Sequence, residues 1–217
     1  MGLNICIGTR GRPAVAACLF LTVGGAGCNG TAAPDAKMSF FITSVGVGGG
    51  GDLGGFEGAD AHCQKLAMNA GSTRIWHAYL SGRSRAGAVM NARDRIGKGP
   101  WFNAKGTQVA LSVEDLHHDG LSPNNAMTER GVRVGSNVHD ILTGSTTDGS
   151  TLDSTPDATC HDWTSNDAGR ARVGHHDRRV GQEGSTSWNS NHLSDGCSPK
   201  ALAGSLGAGL FYCFAVD

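Results

Sequence analysis

A chain of 217 residues is long enough for one domain with a buried core, and its 18 Lys plus Arg against 19 Asp plus Glu leave a formal net charge of −1. That balance excludes the overall basic excess typical of nucleic-acid-binding proteins, and it excludes a long acidic tail. Glycine is over-represented at 34 residues and only 17% of residues are charged, so we expect many turns and few long surface helices.

The N-terminal residues have the pattern of an export signal. Arg10 and Arg12 precede an apolar run at residues 14–23, which small residues follow. The run is far shorter than the roughly 20 residues that a membrane span requires. We therefore predict an exported protein with a signal peptide over residues 1–27, a short tether over residues 28–37 and one domain over residues 38–217.

A cysteine directly follows this signal. The ending Ala26-Gly27-Cys28 resembles a bacterial lipoprotein cleavage site, in which the cysteine becomes lipid-modified. It predicts lipidation of Cys28 and a location at the bacterial outer membrane or cell surface, with the lipid as the membrane attachment. Gly25 stands where such a site usually has a larger aliphatic residue, so cleavage nearby, which would give a freely secreted protein, is the alternative.

The first half of the predicted domain contains two strands and one clear helix. Residues 38–47 are rich in aromatic and β-branched residues and predict a strand that ends at the glycine loop 48–51. Over residues 55–70, apolar side chains recur at helical spacing and predict an amphipathic helix with Cys63 on its buried face. Residues 74–81 alternate as expected for a strand buried on both faces.

The second half is dominated by short strands between Gly, Asn and Asp turns. A brief helix is predicted over residues 112–117, where Ser112 and Asp115 fit a capping box. Residues 209–216 predict a final strand. The predicted class is therefore α+β with strands predominating.

Four of the seven cysteines lie in the predicted domain, namely Cys63, Cys160, Cys197 and Cys213. An even number of cysteines in an exported domain predicts two disulfides, and the spacing leaves three pairings open. None of these cysteines forms a C-x-x-C pair, so a zinc knuckle or a thioredoxin-type site is not expected.

The order of these parts resembles the C-type lectin-like superfamily, and within it the endostatin-like domains and the bacterial extracellular domains called lectin-like. The segments that resemble them are residues 76–81, 92–103, 139–145, 160–165, 174–178, 187–190 and 210–215. The resemblance implies a fold of mostly short antiparallel strands with one main helix. It also implies nested disulfides that pair Cys63 with Cys213 and Cys160 with Cys197.

The calcium-dependent sugar site of this superfamily is not expected here. That site uses a Glu-Pro-Asn loop and a Trp-Asn-Asp strand, because calcium needs several carboxylate and amide oxygens. In this chain the strand motif is Trp188-Asn189-Ser190, and the Pro123-Asn124 pair precedes Cys160. The endostatin-like branch does not use this calcium mode.

Nine histidines include the adjacent pairs His117-His118 and His175-His176. Zinc catalysis needs about three converging N or O ligands, whereas adjacent residues on a strand point to opposite faces. The sequence contains neither H-E-x-x-H nor G-x-S-x-G. We assign no catalytic or metal-ligating residue and expect no cofactor, since no motif supports calcium or zinc. Three His or Asp side chains converging on one point would instead favour a metal-dependent hydrolase.

The stretch 166–195 is the predicted ligand-binding surface. It concentrates arginine, histidine and asparagine among glycines and serines, and these side chains with a tryptophan suit the hydroxyl groups, the anionic groups and the apolar face of a sugar. The predicted binding residues are Arg170, Arg172, His175, His176, Asp177, Arg178, Arg179, Trp188, Asn189, Asn191 and His192. The alternative is that Trp163 and Trp188 are core residues, that Asp177 and Arg178 form an internal ion pair, and that the glycines only shape a loop.

We therefore expect a non-catalytic extracellular binding module that recognises a glycan or another extracellular polymer. Nucleic acid is not an expected partner. The alternatives are a structural or adhesive surface lipoprotein that binds protein partners, and a metal-dependent hydrolase. A basic groove that bears an aromatic residue would favour a glycan, whereas a large exposed apolar patch would favour a protein.

Overall fold

A computed structural model describes residues 37–118, 120–152, 157–177 and 187–217. The predicted signal peptide, the predicted lipidation at Cys28 and the predicted tether apart from Lys37 lie outside the described residues. Within the described ranges, no helix combines the length and the apolar character that a bilayer crossing requires.

The described residues form an α+β domain of short strands and five helical segments. The strands are β1 Phe40–Ile42, β2 Trp76–Ala78, β3 Gly82–Arg83, β4 Val89–Met90, β5 Trp101–Phe102, β6 Gln108–Ala110, β7 Asp140–Leu142, β8 Arg172–His175, β9 His192–Leu193 and β10 Gly207–Ala215. The helical segments are α1 Gly55–Asn69, α2 Ala92–Arg95, α3 Val113–His118, α4 Cys160–Trp163 and α5 Pro199–Gly204, together with a 3-10 turn at Pro123–Asn125. The four residues of α4 have φ between 49° and 68°, so this segment is a left-handed turn.

β10 pairs with three other strands of the main sheet, in which the strand order is β1-β10-β7-β8-β9 and β2 also pairs with β10. β1 and β2 run antiparallel to the second half of β10, whereas β7 runs parallel to its first half. β8 and β9 continue the sheet in antiparallel order from β7. All of β10 except Ala208 is buried, which explains why this strand is a nearly continuous apolar run.

α1 confirms the predicted helix to within one residue. Its apolar positions recur at helical spacing because they face the core, and the buried ones include Phe56, Ala59, Cys63, Leu66 and Ala67. The helix ends at a turn in which the N–H of Ala70 bonds to the main-chain oxygens of Leu66 and Ala67. Cys63 ties this buried face to β10.

β1 is much shorter than the strand predicted over residues 38–47. The N–H and the hydroxyl of Ser44 donate to the Glu129 carboxylate at 3.1 and 2.6 Å, and Val45 is 55% exposed. The chain therefore leaves the sheet soon after Ile42, and Ser44 contacts Glu129, which lies 85 positions further along the chain. β2 is likewise only the middle of the predicted strand 74–81.

The predicted second helix and final strand are present, each shifted by one or two residues. The hydroxyl of Ser112 accepts from the N–H of Asp115 at 3.2 Å, and the Asp115 carboxylate accepts from the N–H of Leu111 at 2.6 Å. The bond to Ser112 is the forward half of the predicted capping box, whereas the return bond of Asp115 goes to Leu111, one residue before the N-cap.

Both disulfides are formed and buried, in the nested pairing. Cys63 is bonded to Cys213 and Cys160 to Cys197, with sequence separations of 150 and 37. The outer bridge joins α1 to β10, and the inner one joins α4 to the segment that precedes α5. One hydrophobic cluster surrounds α1 and both bridges, and a second contains Trp101, Trp188 and the other side chains of β10.

Candidate functional site

The predicted arginine surface is formed only in part by described residues. Arg170 is exposed. Arg172 is half-buried in β8, and its Nη1 donates to the main-chain oxygen of Asn191 at 3.3 Å. Arg178 and Arg179 lie outside the described residues, and so does any ion pair between Asp177 and Arg178.

Trp188, the predicted aromatic platform, is a core residue. It is 3% exposed, and its ring centroid lies 4.9 Å from that of Tyr79 and 5.1 Å from that of Tyr212. Trp163 is also buried, and its indole N–H donates to the main-chain oxygen of Ser81 at 3.0 Å. The interpretation of both tryptophans as core residues is therefore correct, and Trp188 does not present its face to solvent.

Asn189, the partner of Trp188 in the predicted motif, is the centre of a buried hydrogen-bond network. Its Nδ2 donates to the Tyr79 hydroxyl at 2.8 Å and to the main-chain oxygens of Thr146 and Thr147, both at 3.1 Å. Its Oδ1 accepts from the hydroxyl of Ser187 at 3.1 Å. Since Asn189 is 1% exposed, its amide serves the fold and does not face solvent.

His117, from the first histidine pair, belongs to the same network. The Nδ1 of His117 lies 2.7 Å from the main-chain oxygen of Val113, which can only accept, so Nδ1 carries the hydrogen and Nε2 accepts from Tyr79 at 2.7 Å. Burial lowers the pKa of His117 below its ordinary value. Burial also raises the pKa of Tyr79, which keeps its hydroxyl protonated.

His175 and His176 have separate surroundings, in agreement with strand alternation. His176 is 2% exposed, its main-chain N–H donates to the oxygen of His139 at 3.3 Å, and burial lowers the pKa of its ring. His175 instead contacts the side chains of four other residues, namely His139, Asp140, Asn191 and His192.

A cluster of three histidines and one aspartate, formed by His139, Asp140, His175 and His192, lies where β7, β8 and β9 are neighbours. Asp140 Oδ1 is 3.4 Å from Nε2 of His139, 3.0 Å from Nε2 of His175 and 3.4 Å from Nε2 of His192. The Nε2 atoms of His175 and His192 are 2.9 Å apart. We call these four residues the histidine–aspartate cluster.

The sheet register explains this convergence. Asp140 of β7 is directly opposite His175 of β8, and Val173 of β8 is opposite His192 of β9. His139 stacks on His175 with ring centroids 4.2 Å apart. Sequence analysis predicted His175 and His192 as ligand-binding residues but missed His139 and Asp140, because the order of the strands is needed to bring residues 139–140 beside residue 175.

The electrostatics of the cluster are dominated by the Asp140 carboxylate. Burial alone would raise the pKa of Asp140, but His175 and His192 beside it hold that pKa well below its usual range. In return, the Asp140 carboxylate raises the pKa of His192 above its ordinary value. The cluster is thus a buried negative charge surrounded by imidazole nitrogens, and it reaches solvent through His192, whose side chain is 41% exposed.

A cleft of about 520 Å³ lies elsewhere on the domain. Its lining comes from three distant segments, namely residues 43–46 after β1, residues in the range 128–138, and Ala208 and Leu210 of β10. Its size falls in the range of small-ligand sites. We call it the β1 cleft.

The β1 cleft combines apolar walls with two arginines. Val45 and Val132 line it and are 55% and 50% exposed. Nη2 of Arg133 donates to oxygens of Pro123 and Asn124 at 3.2 and 3.1 Å.

Arg130, the second arginine of the cleft, contacts a buried acid. Its Nε lies 3.3 Å from Glu129 Oε1, and its side chain is 65% exposed while that of Glu129 is 2% exposed. Glu129 faces Ser44 and the protein interior, so the cations are the charges that the cleft presents. Nothing in the sequence analysis predicted this cleft.

No protein-family model matches the sequence, and a search of curated proteins finds no similar chain.

Proposed function

We propose that this protein is a non-catalytic extracellular binding domain of the C-type lectin-like, endostatin-like kind, and that it recognises an acidic glycan or a similar anionic polymer through the β1 cleft. The observation that carries the proposal is the pairing of exposed apolar walls with Arg130 and Arg133 in one concave site. The order of the elements and the nested disulfides support the proposed family.

The chemistry of the cleft suits a sugar that carries carboxylate or sulfate groups. Guanidinium groups bind such anions through charge-assisted, paired hydrogen bonds. The described residues that line the cleft include no aromatic side chain, so the C–H face of a sugar ring would pack on Val45 and Val132. Glu129 offsets part of the charge of Arg130, whereas Arg133 is held by neutral oxygens and keeps its full charge toward the cleft.

The proposed location is outside the cytoplasm. Two buried disulfides are typical of proteins that mature in an oxidising compartment. Together with the export signal in the sequence they support a secreted protein or, through Cys28, a lipoprotein of the bacterial outer membrane or cell surface.

A protein partner is the second candidate. Two exposed valines, Val45 and Val132, line the cleft and are 55% and 50% exposed, and Val47, two residues from Val45 in the chain, is 42% exposed. Such residues favour a surface or adhesive protein that docks another protein at the same cleft.

The proposal is tested by binding of the oxidised full chain to immobilised heparin, polygalacturonate and a neutral dextran, at low and high salt and with chelator. We expect binding to the two acidic polymers that weakens as salt rises and persists in chelator. The double variant Arg130→Ala/Arg133→Ala is expected to weaken binding by about tenfold or more. The matched control Arg170→Ala/Arg172→Ala removes the same charge from the surface predicted by sequence and is expected to bind as wild type.

Two results would contradict the proposal. If the Arg170/Arg172 variant loses binding and the cleft variant keeps it, the ligand surface is the stretch predicted from sequence. If neither acidic polymer binds the wild-type chain, the protein-partner candidate replaces the glycan.

A further inference from the structure

We propose that the histidine–aspartate cluster is a zinc site, with His139, His175 and His192 as nitrogen ligands and Asp140 as the oxygen ligand. The proposal is independent of the ligand assigned to the β1 cleft. It starts from the spacing of the ligand atoms. In a tetrahedral zinc site with bonds of about 2.0–2.1 Å, neighbouring ligand atoms are about 3.3–3.4 Å apart. Four of the six separations among the ligand atoms are 3.4, 3.0, 3.4 and 2.9 Å. The ligand atoms of His139, Asp140 and His175 all lie within 4.8 Å of one another, so three ligands already converge, and His192 completes the set by moving toward His139.

The hydrogen bond of His192 fixes the tautomer in which its Nε2 carries a lone pair. Nδ1 of His192 lies 3.0 Å from the main-chain oxygen of Leu193, which can only accept, so Nδ1 carries the hydrogen. Nδ1 of His139 lies 3.6 Å from Oδ1 of Asp177, which is an ion-pair distance and longer than a hydrogen bond. A carboxylate or carbonyl partner on Nδ1 is the arrangement that orients histidine ligands of zinc, because it fixes the tautomer with Nε2 ready to bind.

His175 is set by the side chain of Asn191. The Nδ2 of Asn191 donates to Nδ1 of His175 at 2.7 Å, so Nε2 carries the hydrogen and donates to Nε2 of His192. A half-turn of the Asn191 amide would present its oxygen to Nδ1 instead. Nε2 of His175 would then be available for zinc, so Asn191 is a positioning residue for this site.

The Asp140 carboxylate supplies an independent observation. Asp140 is 2% exposed, and among the described residues neither of its oxygens makes a hydrogen bond with acceptable geometry. A buried carboxylate whose oxygens make no hydrogen bond is costly unless a cation lies beside it. The half-exposed ring of His192 gives that cation a path from solvent.

The donor set identifies the ion and its role. Three imidazoles and one carboxylate suit zinc, whereas calcium takes six to eight oxygen ligands. The three converging ligands meet the condition that sequence analysis set for a metal-dependent hydrolase. Binding of His192 as the fourth ligand would close the position that a hydrolytic water needs and give the pattern of structural zinc. The ion would join β7, β8 and β9 at the end of the sheet. Asp177 follows β8 at this end.

The test uses the untagged full chain, stripped with chelator and then titrated with zinc. We expect one zinc per chain by elemental analysis and calorimetry. We also expect a rise of the unfolding temperature of about 5–10 °C when zinc exceeds its Kd a hundredfold. Cobalt bound in place of zinc is expected to give the strong visible absorption of a tetrahedral site.

Variants locate the ion. His139→Ala and His192→Ala are expected to weaken zinc binding by at least about tenfold and to abolish the temperature rise. His62→Ala is the matched control, because His62 is also half-buried and its ring also contacts a carbonyl oxygen, at 2.9 Å from that of Val45. Asn191→Asp, which gives Nδ1 of His175 an acceptor, is expected to tighten zinc binding.

The proposal is overturned if the wild-type chain binds no zinc, which would make the cluster a set of protonated imidazoles around a carboxylate. It is also overturned if His62→Ala weakens binding as much as His192→Ala does. Failure of the acidic polymers to bind the β1 cleft would leave this result unchanged.

Discussion

Replacing Asn189 with alanine tests the assignment of this residue to the fold. Asn189 lies in the motif that sequence analysis assigned to ligand binding, yet it is 1% exposed and donates to three oxygens while accepting from a fourth group. The substitution removes these bonds and leaves the main-chain oxygens of Thr146 and Thr147 without the partner they have in the folded chain.

The expected cost follows from the number of bonds. The Nδ2 group has two hydrogens, which three oxygens share, and Oδ1 accepts one further bond. Three to four hydrogen bonds at about 1 kcal/mol each give a loss of about 3–4 kcal/mol in the free energy of unfolding. For a domain of this size such a loss lowers the unfolding temperature by roughly 6–15 °C. Binding to acidic polymers, measured well below that temperature, is expected to stay at the wild-type level.

The assay is urea unfolding of the oxidised full chain followed by tryptophan fluorescence, with Asn69→Ala as the control. Asn69 is the exposed last residue of α1, and its replacement is expected to change the free energy of unfolding by less than about 0.5 kcal/mol. A loss below about 1 kcal/mol for Asn189→Ala, or a selective loss of polymer binding with unchanged stability, would refute the structural role.

Three further predictions follow from particular contacts. Asp60→Ala leaves the guanidinium of Arg95, which is 9% exposed and lies 2.7 Å from the Asp60 carboxylate, without its anion, and urea unfolding should detect a loss of about 2–3 kcal/mol. Gly174→Ala would place a Cβ 1.8 Å from the main-chain oxygen of Trp188, so we expect little folded protein, and a normal near-ultraviolet circular dichroism spectrum would contradict this. Burial lowers the pKa of His117 below 6.5, so the unfolded chain binds more protons than the folded chain as pH falls through that value, and stability should decline there. The decline should be shallower in His117→Gln, and an equal slope in both proteins would argue against this source.

Local sequence was sufficient for the elements that carry their own pattern. α1 was predicted because its buried stripe recurs at helical spacing within one segment. α3 was predicted because Ser112 and Asp115 form a local cap. The disulfide pairing needed more than spacing, and the resemblance to a known family supplied it.

The site residues depended on distant partners that spacing does not reveal. Trp188 and Asn189 were expected at the surface because tryptophan and asparagine suit sugars, but Tyr79 and Tyr212 enclose them. The histidine–aspartate cluster requires the β7–β8 register that sets Asp140 opposite His175. The β1 cleft draws on three segments far apart in the chain, and one of them contains Ser44, which bonds to Glu129 across 85 positions.

Amide chemical-shift mapping of the isotope-labelled full chain, titrated with a short heparin-derived oligosaccharide, tests the proposed binding function most directly. The account predicts shifts that concentrate at residues 43–46 and 128–135, which line the β1 cleft, and that are lost in Arg130→Ala/Arg133→Ala. Shifts confined to residues 166–177, or no shifts at saturating oligosaccharide, would contradict it.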